Sequence, residues 1–382
     1  MDSKTIFLEG LGTGSIGKMK IAVFHELHKG GARRVVNDFS KELIKRNTVD
    51  LYIIDEQKAA EEGKNYSHVY FNEFIPKTWS GGNWKARLYK DTVELYSLYK
   101  LHKKIAKLID SRKYDVVIIH PSRFTQAPFL LRFIRTKKIY YAHEVYRIMY
   151  ETQFLLKTNK SLAKYLYEYL ARMIKQYIDR ANVKKTKHIF VNSKNTKANF
   201  LKYYHVKTKV FYPCIDLNFF KPSANKKDID VLFVGSVSDN TDGFFDLKNA
   251  LNLTRSQFTL KIIGGDIWIT DEMLRNFYRR SRLVYCGAYN EPLGLVPLEA
   301  ASCGVPVVAI SEGGYKETII EGATGSFAKK NPKDIAFAIE RILSNKNKAV
   351  QMGIKARDNV LKNWAMHKLG LDLENGLKKV IY

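Results

Sequence analysis

The chain has 382 residues and a formal net charge of +26, longer than one core ordinarily supports, so two domains are expected. A composition of 45% hydrophobic and 13% aromatic residues excludes a mainly disordered chain. Cys214, Cys286 and Cys303 share no metal-ligand spacing, which excludes a disulfide scaffold or zinc ribbon and suits a reducing, cytoplasmic setting. No apolar run is long enough to span a bilayer, and no signal peptide is evident. The charge calls for an anionic partner. It is uneven: residues 1–190 carry 36 Lys and Arg against 19 Asp and Glu, the remainder 28 against 19.

Residues 1–18 read as an N-terminal extension, with the folded domain starting at Met19. Gly12-Thr-Gly-Ser-Ile-Gly17-Lys18 within it has phosphate-loop spacing. Met19 stands where a magnesium-ligating Ser or Thr belongs, and a strand pattern follows instead of a helix, so it reads as a coincidence. Strand patterns then lie at 20–24, 49–54, 69–74, 116–120, 139–143, 188–192 and 209–212. Helical patterns separate them at 33–46, 85–110, 126–135 and 162–181. After a polar linker at 221–228, a second series of strands falls at 231–235, 259–263, 283–286 and 305–310. Such alternation implies two α/β domains, each a doubly wound parallel sheet covered on both faces, with a cleft between them. The boundaries are 19–220 and 221–365, with residues 366–382 a helix returning to the first domain. Open α/β sheets bind ligands beyond the carboxyl ends of their strands.

In the helix at 162–178, apolar residues at 162, 165, 166, 169, 170, 173, 174, 177 and 178 make a continuous stripe. Packing against the sheet is the arrangement a doubly wound domain favours; lying on a membrane surface is the other. Asp228-Ile-Asp230 precedes a strand and reads as a solvated turn. His25 and His28 lack a third ligand, so no metal site is expected.

The richest segment is Cys286-Gly-Ala-Tyr-Asn-Glu291-Pro-Leu-Gly294-Leu-Val-Pro-Leu-Glu299. A strand runs into a tight loop, and a helix opens near Gly294 with Pro297 in its first turn, where no intrahelical donor is lost. The free N–H groups and positive dipole end of such a helix suit a phosphate. Glu291 precedes the helix and Glu299 lies inside it. A carboxylate accepting two vicinal hydroxyls is the usual way to hold a ribose, and each charge-assisted bond contributes about 1.5–3 kcal/mol.

Glu291, seven residues, Glu299, then Gly304-Val-Pro-Val-Val-Ala resembles the donor-site signature of the retaining family-four glycosyltransferases of GT-B fold. The likeness continues in Gly313-Gly-Tyr-Lys-Glu317 and Gly322-Ala-Thr-Gly325. Earlier in the chain it takes in Val231-Leu-Phe-Val-Gly235, Phe211-Tyr-Pro-Cys-Ile-Asp216, Val191-Asn-Ser193 and Gly30-Gly31-Ala-Arg-Arg34. Arg33 stands where that family usually has an acidic residue. The ordered set runs from about Met19 to the end.

The resemblance implies two Rossmann-like domains and a nucleotide-diphosphate sugar as donor. Glu291 would contact the donor sugar and steady its developing positive charge, and Glu299 would hold the ribose. Pro292, Leu293, Gly294 and Leu295 would present the diphosphate-binding backbone. Gly30 and Gly31 would let the first domain's backbone approach the phosphates. His143, ending its strand, would hydrogen-bond the reacting sugar or acceptor; a structural strand-end histidine is the plain alternative. No cofactor and no metal is implied, since the nucleotide sugar is itself a substrate.

One departure stands out. Gly235 and Ser236 open a segment, Gly235-Ser236-Val-Ser-Asp239-Asn-Thr-Asp242-Gly243, without the Arg and Lys usual there. Lys248, Arg279, Arg280 and Arg282 are the cations that would have to substitute. The loss supports an alternative reading, a catalytically inactive GT-B-like module that binds a sugar nucleotide or anionic glycan.

The acceptor side holds Ile75-Pro-Lys-Thr-Trp79-Ser-Gly-Gly-Asn-Trp84-Lys-Ala-Arg87. Exposed, these tryptophans and cations suit a lipid-linked or anionic acceptor and an anionic membrane surface; folded inward, they make an ordinary loop. Nucleic acid is not an expected partner, because no recognition helix, zinc knuckle or RNA-binding aromatic motif occurs. The expected activity is hexosyl transfer to a glycan or lipid-linked acceptor, by a cytoplasmic protein peripheral to the cytoplasmic membrane face.

Overall fold

The computed structural model describes residues 5–6, 18–28, 30–54, 63–77, 84–151, 161–224, 226–238, 240–264 and 269–382. The phosphate-loop look-alike at 12–17, Trp79 and Asp239 lie outside them. The chain forms two compact units. One comprises Met1–Asn192, Thr196–Phe211 and Gly370–Tyr382; the other comprises Ser193–Asn195 and Tyr212–Leu369.

The first unit is built on an eight-stranded sheet, β1 (Thr5–Ile6), β2 (Lys20–Glu26), β3 (Thr48–Ile53), β4 (His68–Phe71), β5 (Val116–Ser122), β6 (Lys138–Ala142), β7 (Ile189–Val191) and β8 (Lys209–Val210). Its order is β1-β4-β3-β2-β5-β6-β7-β8. All neighbours run parallel except β1, which comes from the N-terminal extension and pairs antiparallel with β4. The apolar runs of the central strands are buried on both faces, as parallel sheets require.

Two helical patterns differ from expectation. The pattern at 85–110 becomes Trp84–Tyr89, a π-helical turn at Lys90–Glu94, and Leu95–Ser111, because one wide turn interrupts the ladder. The pattern at 126–135 shrinks to Leu130–Phe133. Gln126 takes a left-handed conformation and bridges back to Ser122, and Pro128 follows, so the chain cannot start its helix earlier.

The second unit carries a five-stranded, wholly parallel sheet: β9 (Ile229–Val234), β10 (Leu260–Ile263), β11 (Ser281–Cys286), β12 (Val307–Ile310) and β13 (Gly325–Ala328), in the order β10-β9-β11-β12-β13. Four positions of mixed Gly, Ser, Phe and Ala gave β13 no strand signature in the sequence. Helices including Phe244–Leu251 and Pro332–Leu343 pack on this sheet around Val231, Phe233, Leu283 and Val308.

The last helix, Met366–Ile381, packs in the first unit from Gly370 onward. Arg46 is paired with Glu374 at 2.7 Å, and Glu374 also meets Lys378 at 3.1 Å. A Cβ at Gly376 would lie 2.4 Å from the Phe211 ring, which stacks on Phe190 with centroids 4.1 Å apart. The Gly376→Val substitution should therefore overpack this contact and lower stability by about 1–3 kcal/mol. A thermal melt reads this as a reduced Tm; an unchanged Tm would show that the helix does not pack there.

Candidate active site

In the second unit β11 ends at Cys286, and the helix Leu295–Ser302 begins nine residues later. Two left-handed residues turn the chain between them, Asn290 at φ 44° and Gly294 at φ 93°. Gly294 is the N-cap and has no side chain with which to cap the helix, an arrangement in which first-turn amides suit an anionic ligand.

What holds the turn in place is backbone packing. A Cβ on Gly313 would fall 2.5 Å from the Glu291 carbonyl oxygen, and one on Gly314 2.4 Å from that of Pro292. Only glycines permit this approach. The Gly314 amide donates to the Glu291 carbonyl at 2.7 Å. Ser193 Oγ donates to the Pro292 carbonyl at 2.5 Å, and the Asn195 side chain donates to the Glu291 carbonyl at 3.1 Å. Glu317 in turn accepts from the amides of Lys194 and Asn195, both at 2.9 Å, and from the Tyr212 hydroxyl at 2.7 Å. The scattered motifs of the sequence thus meet as one brace around Glu291.

Beside this turn lies a cavity of ≈ 180 Å³ lined by Val234, Asp242, Cys286, Glu291, Gly294 and Tyr315, among others. Whole-ligand pockets run to roughly 300–1,000 Å³, so it has room for one part of a larger ligand. Burial, then the charges of Glu291, Glu299 and Asp242, push the Cys286 thiol well above its ordinary pKa. It stays protonated and is no nucleophile.

Glu299 lies deeper. It is buried, and its carboxylate accepts a hydrogen bond from the buried Tyr278 hydroxyl at 2.7 Å. Tyr278 sits in the helix Asp271–Arg280, and nothing in its sequence context marked it. A bond of this kind contributes about 1.5–3 kcal/mol and fixes the carboxylate's orientation.

Gly235 and Ser236 follow β9. The Ser236 amide donates to Asp242 at 2.6 Å, so an acidic side chain closes the loop where the family resemblance leads one to expect cations. Three of the arginines considered as substitutes are committed elsewhere. Arg280 pairs with Asp228 at 2.5 Å, Arg282 with Asp230 at 2.6 Å, and Arg279 donates to the Lys221 carbonyl at 2.7 Å. The Asp228-Ile-Asp230 carboxylates are thereby occupied as well. Lys330, two residues beyond β13, was not singled out from sequence. Its ammonium lies 4.4 Å from the ring centre of Tyr289, two residues before Glu291. Among the described residues, no group of three His, Cys, Asp or Glu side chains gathers as a metal site.

The remaining expected residues belong to the first unit. Gly30, at φ 152°, is the N-cap of the helix Gly31–Leu43, again without a side-chain cap. His143 follows β6 and is buried with His120, whose Nδ1 is 3.3 Å from His143 Nε2. The rings are stacked, with centroids 5.4 Å apart. Burial, and then the nearby His25, lower His143 to about 3, while burial followed by His143 and His25 lowers His120 well below the usual range. Both imidazoles are neutral, and one donates its single N–H to the other.

Two family models match the chain: "Glycosyltransferase Family 4" over residues 29–219 and "Glycosyl transferases group 1" over residues 267–359. Alpha-1,3/1,6-mannosyltransferase ALG2 of Dictyostelium discoideum is 21% identical, over 95% of this chain and 99% of that protein. A GDP-mannose-dependent alpha-(1-6)-phosphatidylinositol monomannoside mannosyltransferase of Mycolicibacterium smegmatis is 40% identical over 84 residues, 22% of each chain. Among solved structures, sucrose-phosphate synthase of Thermosynechococcus elongatus superposes with a TM-score of 0.70 at 16% identity, covering 95% of this chain and 99% of that one. Anabaena HepE in complex with UDP-glucose gives 0.69 at 16%, covering 94% and 100%. These likenesses establish a GT-B fold of two Rossmann-like domains.

The histidine pair has a direct spectroscopic consequence. Imidazole nitrogen shifts of His120 and His143 should hold their neutral values from about pH 8 down to about pH 5. A titration of either ring with a midpoint near ~6.5 would contradict this.

Proposed function

The chain belongs to the family 4, group 1 glycosyltransferases, and from that premise we propose that it transfers a sugar, with retention and without a metal, from a nucleotide-diphosphate sugar to a glycan or lipid-linked, anionic acceptor. The observation that carries this reading is the braced turn with Glu291 on the wall of a cavity at an uncapped helix N-terminus. The Gly294 and Leu295 amides receive the diphosphate, with Pro292 and Leu293 shaping their approach. Glu291 faces the sugar and opposes the positive charge that grows as the anomeric bond breaks. Glu299, oriented by Tyr278, accepts the ribose hydroxyls. Gly235 and Ser236 present backbone to the phosphates.

Lys330 takes the part of the missing cations, since its ammonium is within reach of the loop that carries Glu291. From the first unit, Gly30 and Gly31 are assigned to the phosphates. His143, held neutral, is assigned as a hydrogen-bonding partner of sugar or acceptor. The leaving phosphate removes the acceptor's proton on the face it departs from, so no dedicated base is needed. The acceptor is met at the cytoplasmic face of a membrane, to which the protein attaches peripherally; no described helix is long and apolar enough to cross one.

UDP-sugars are the first donors to test, because the HepE structure holds UDP-glucose, and GDP-mannose is the second, because mannosyltransferases are among the relatives. The acidic Ser236–Asp242 contact favours a second reading, a binding module without turnover. Transfer assays with these donors separate the two. Turnover with the anomeric configuration kept in the product, unaffected by EDTA, is expected, and Glu291→Gln should lower kcat by about 10²–10³-fold. An inverted product would overturn the retaining mechanism, and donor binding without turnover would leave the module.

A further inference from the structure

The helix Leu162–Val183 is inside out. Its buried residues are mostly polar: Glu168, Asp179 and Asn182 are buried, and Val183 joins the core only at the last position. Each polar one is satisfied there. Arg87 donates to Glu168 at 2.7 Å, the Tyr204 hydroxyl and the Ala127 amide donate to Asp179 at 2.6 and 3.1 Å, and Asn182 donates to the Ala127 carbonyl at 2.7 Å. Its apolar stripe faces away from the protein. Leu162, Leu166, Leu170, Met173, Ile174 and Tyr177 are between 48% and 74% exposed. The stripe that a doubly wound domain would bury against its own sheet is therefore left exposed among the described residues of this unit. A row of large apolar side chains over four helical turns marks an interaction surface.

Charge decides what covers it. Glu168 and Asp179 are the only acids in the helix, and both point inward. At 100° per residue, Arg180 and Lys184 continue the line of Leu162, Leu166, Met173 and Tyr177, and both are exposed, as are Lys164 and Lys185. The outward face is thus apolar along its length and cationic at its end, with no carboxylate. The helix Trp84–Tyr89, tied to this one through Arg87 and Glu168, adds the exposed Trp84 and Leu88. Ile148, whose carbonyl accepts from Arg172 at 2.9 Å, is exposed as well. A second copy laid on this face would meet its cations with cations and offer no helix carboxylate in return. An anionic lipid surface supplies both an apolar layer and the phosphates.

We propose that the outward face of Leu162–Val183 is the membrane-binding element of this protein, lying in the interface of an anionic bilayer with Leu166, Leu170, Met173, Ile174 and Tyr177 in the acyl boundary and Arg180 and Lys184 on lipid phosphates. This assigns an element to the peripheral attachment proposed above, and it does not depend on the donor chemistry. The buried acids serve it by leaving nothing on the face to repel phosphate. The polar inner side keeps the helix on the protein without spending the apolar stripe.

The test is co-sedimentation of the full chain with phosphatidylglycerol vesicles and with phosphatidylcholine vesicles, alongside sedimentation equilibrium without lipid. Wild type should bind phosphatidylglycerol vesicles and leave phosphatidylcholine ones. The double variant Leu170→Glu with Ile174→Glu should lose at least about tenfold in binding, and Arg180→Glu with Lys184→Glu a similar factor that high salt reproduces in wild type. Each variant should keep its turnover on a water-soluble acceptor, because none of these side chains is part of the donor site; Arg180 lies over the Tyr150 ring at 5.4 Å, so the Leu170→Glu, Ile174→Glu variant is the one expected to keep the wild-type Tm. Equal binding to both lipids, no binding, or unimpaired binding by either variant would overturn the proposal. A dimer that the Leu170→Glu, Ile174→Glu variant dissolves would assign the face to a second copy instead. Loss of turnover in wild type with vesicle binding intact would count against the transfer reading alone.

Discussion

The second unit's candidate site depends on one close approach, the backbone of Gly313 and Gly314 lying flat on the backbone of Glu291–Leu293. A single methyl group at either glycine would collide with a carbonyl at 2.4–2.5 Å. The Gly314–Glu291 hydrogen bond, the Ser193 and Asn195 side chains and the Glu317 carboxylate all secure that same turn. The turn aims the helix N-terminus, and the helix places Glu299 against Tyr278. The site's rigidity thus comes from main-chain fit, and a rigid site is what electrostatic catalysis requires.

The same site carries an unusual electrostatic load. Burial and then Glu291, Glu299 and Asp242 all raise the Cys286 thiol, so the side chains around the cavity are negative where the proposal puts a diphosphate. The N-terminal dipole of Leu295–Ser302 opposes it, and the ammonium of Lys330, over the Tyr289 ring, is the cation proposed to do the same. Whether these offset three carboxylates decides between a working transferase and a binding module, and it makes donor affinity the sensitive quantity.

The turn around Glu291 and the helix start after it were legible in the sequence because their residues are dictated by backbone geometry. Glycine is required at positive φ and at close approach, and Glu291 and Glu299 flank a helix start that proline and glycine mark. The strand series was legible for a similar reason, since doubly buried parallel strands read as apolar runs. Other features were not. Tyr278 lies in an ordinary helix, and only the folded chain brings its hydroxyl to Glu299. Arg279, Arg280 and Arg282 looked available until their partners near β9 and in the linker were visible. Periodicity revealed the stripe on Leu162–Val183 but not its direction, because a period of 3.6 says which residues share a face and not which way that face points. The burial of Glu168 and Asp179 settles the direction, and burial is a property of the whole fold.

Calorimetric titration with UDP, GDP, ADP and TDP, with and without magnesium, repeated on Glu299→Ala, tests the central claim most directly. Micromolar binding of one nucleotide is expected, indifferent to magnesium and lost in the variant. Failure of all four nucleotides to bind, or binding that survives the loss of Glu299, would contradict it.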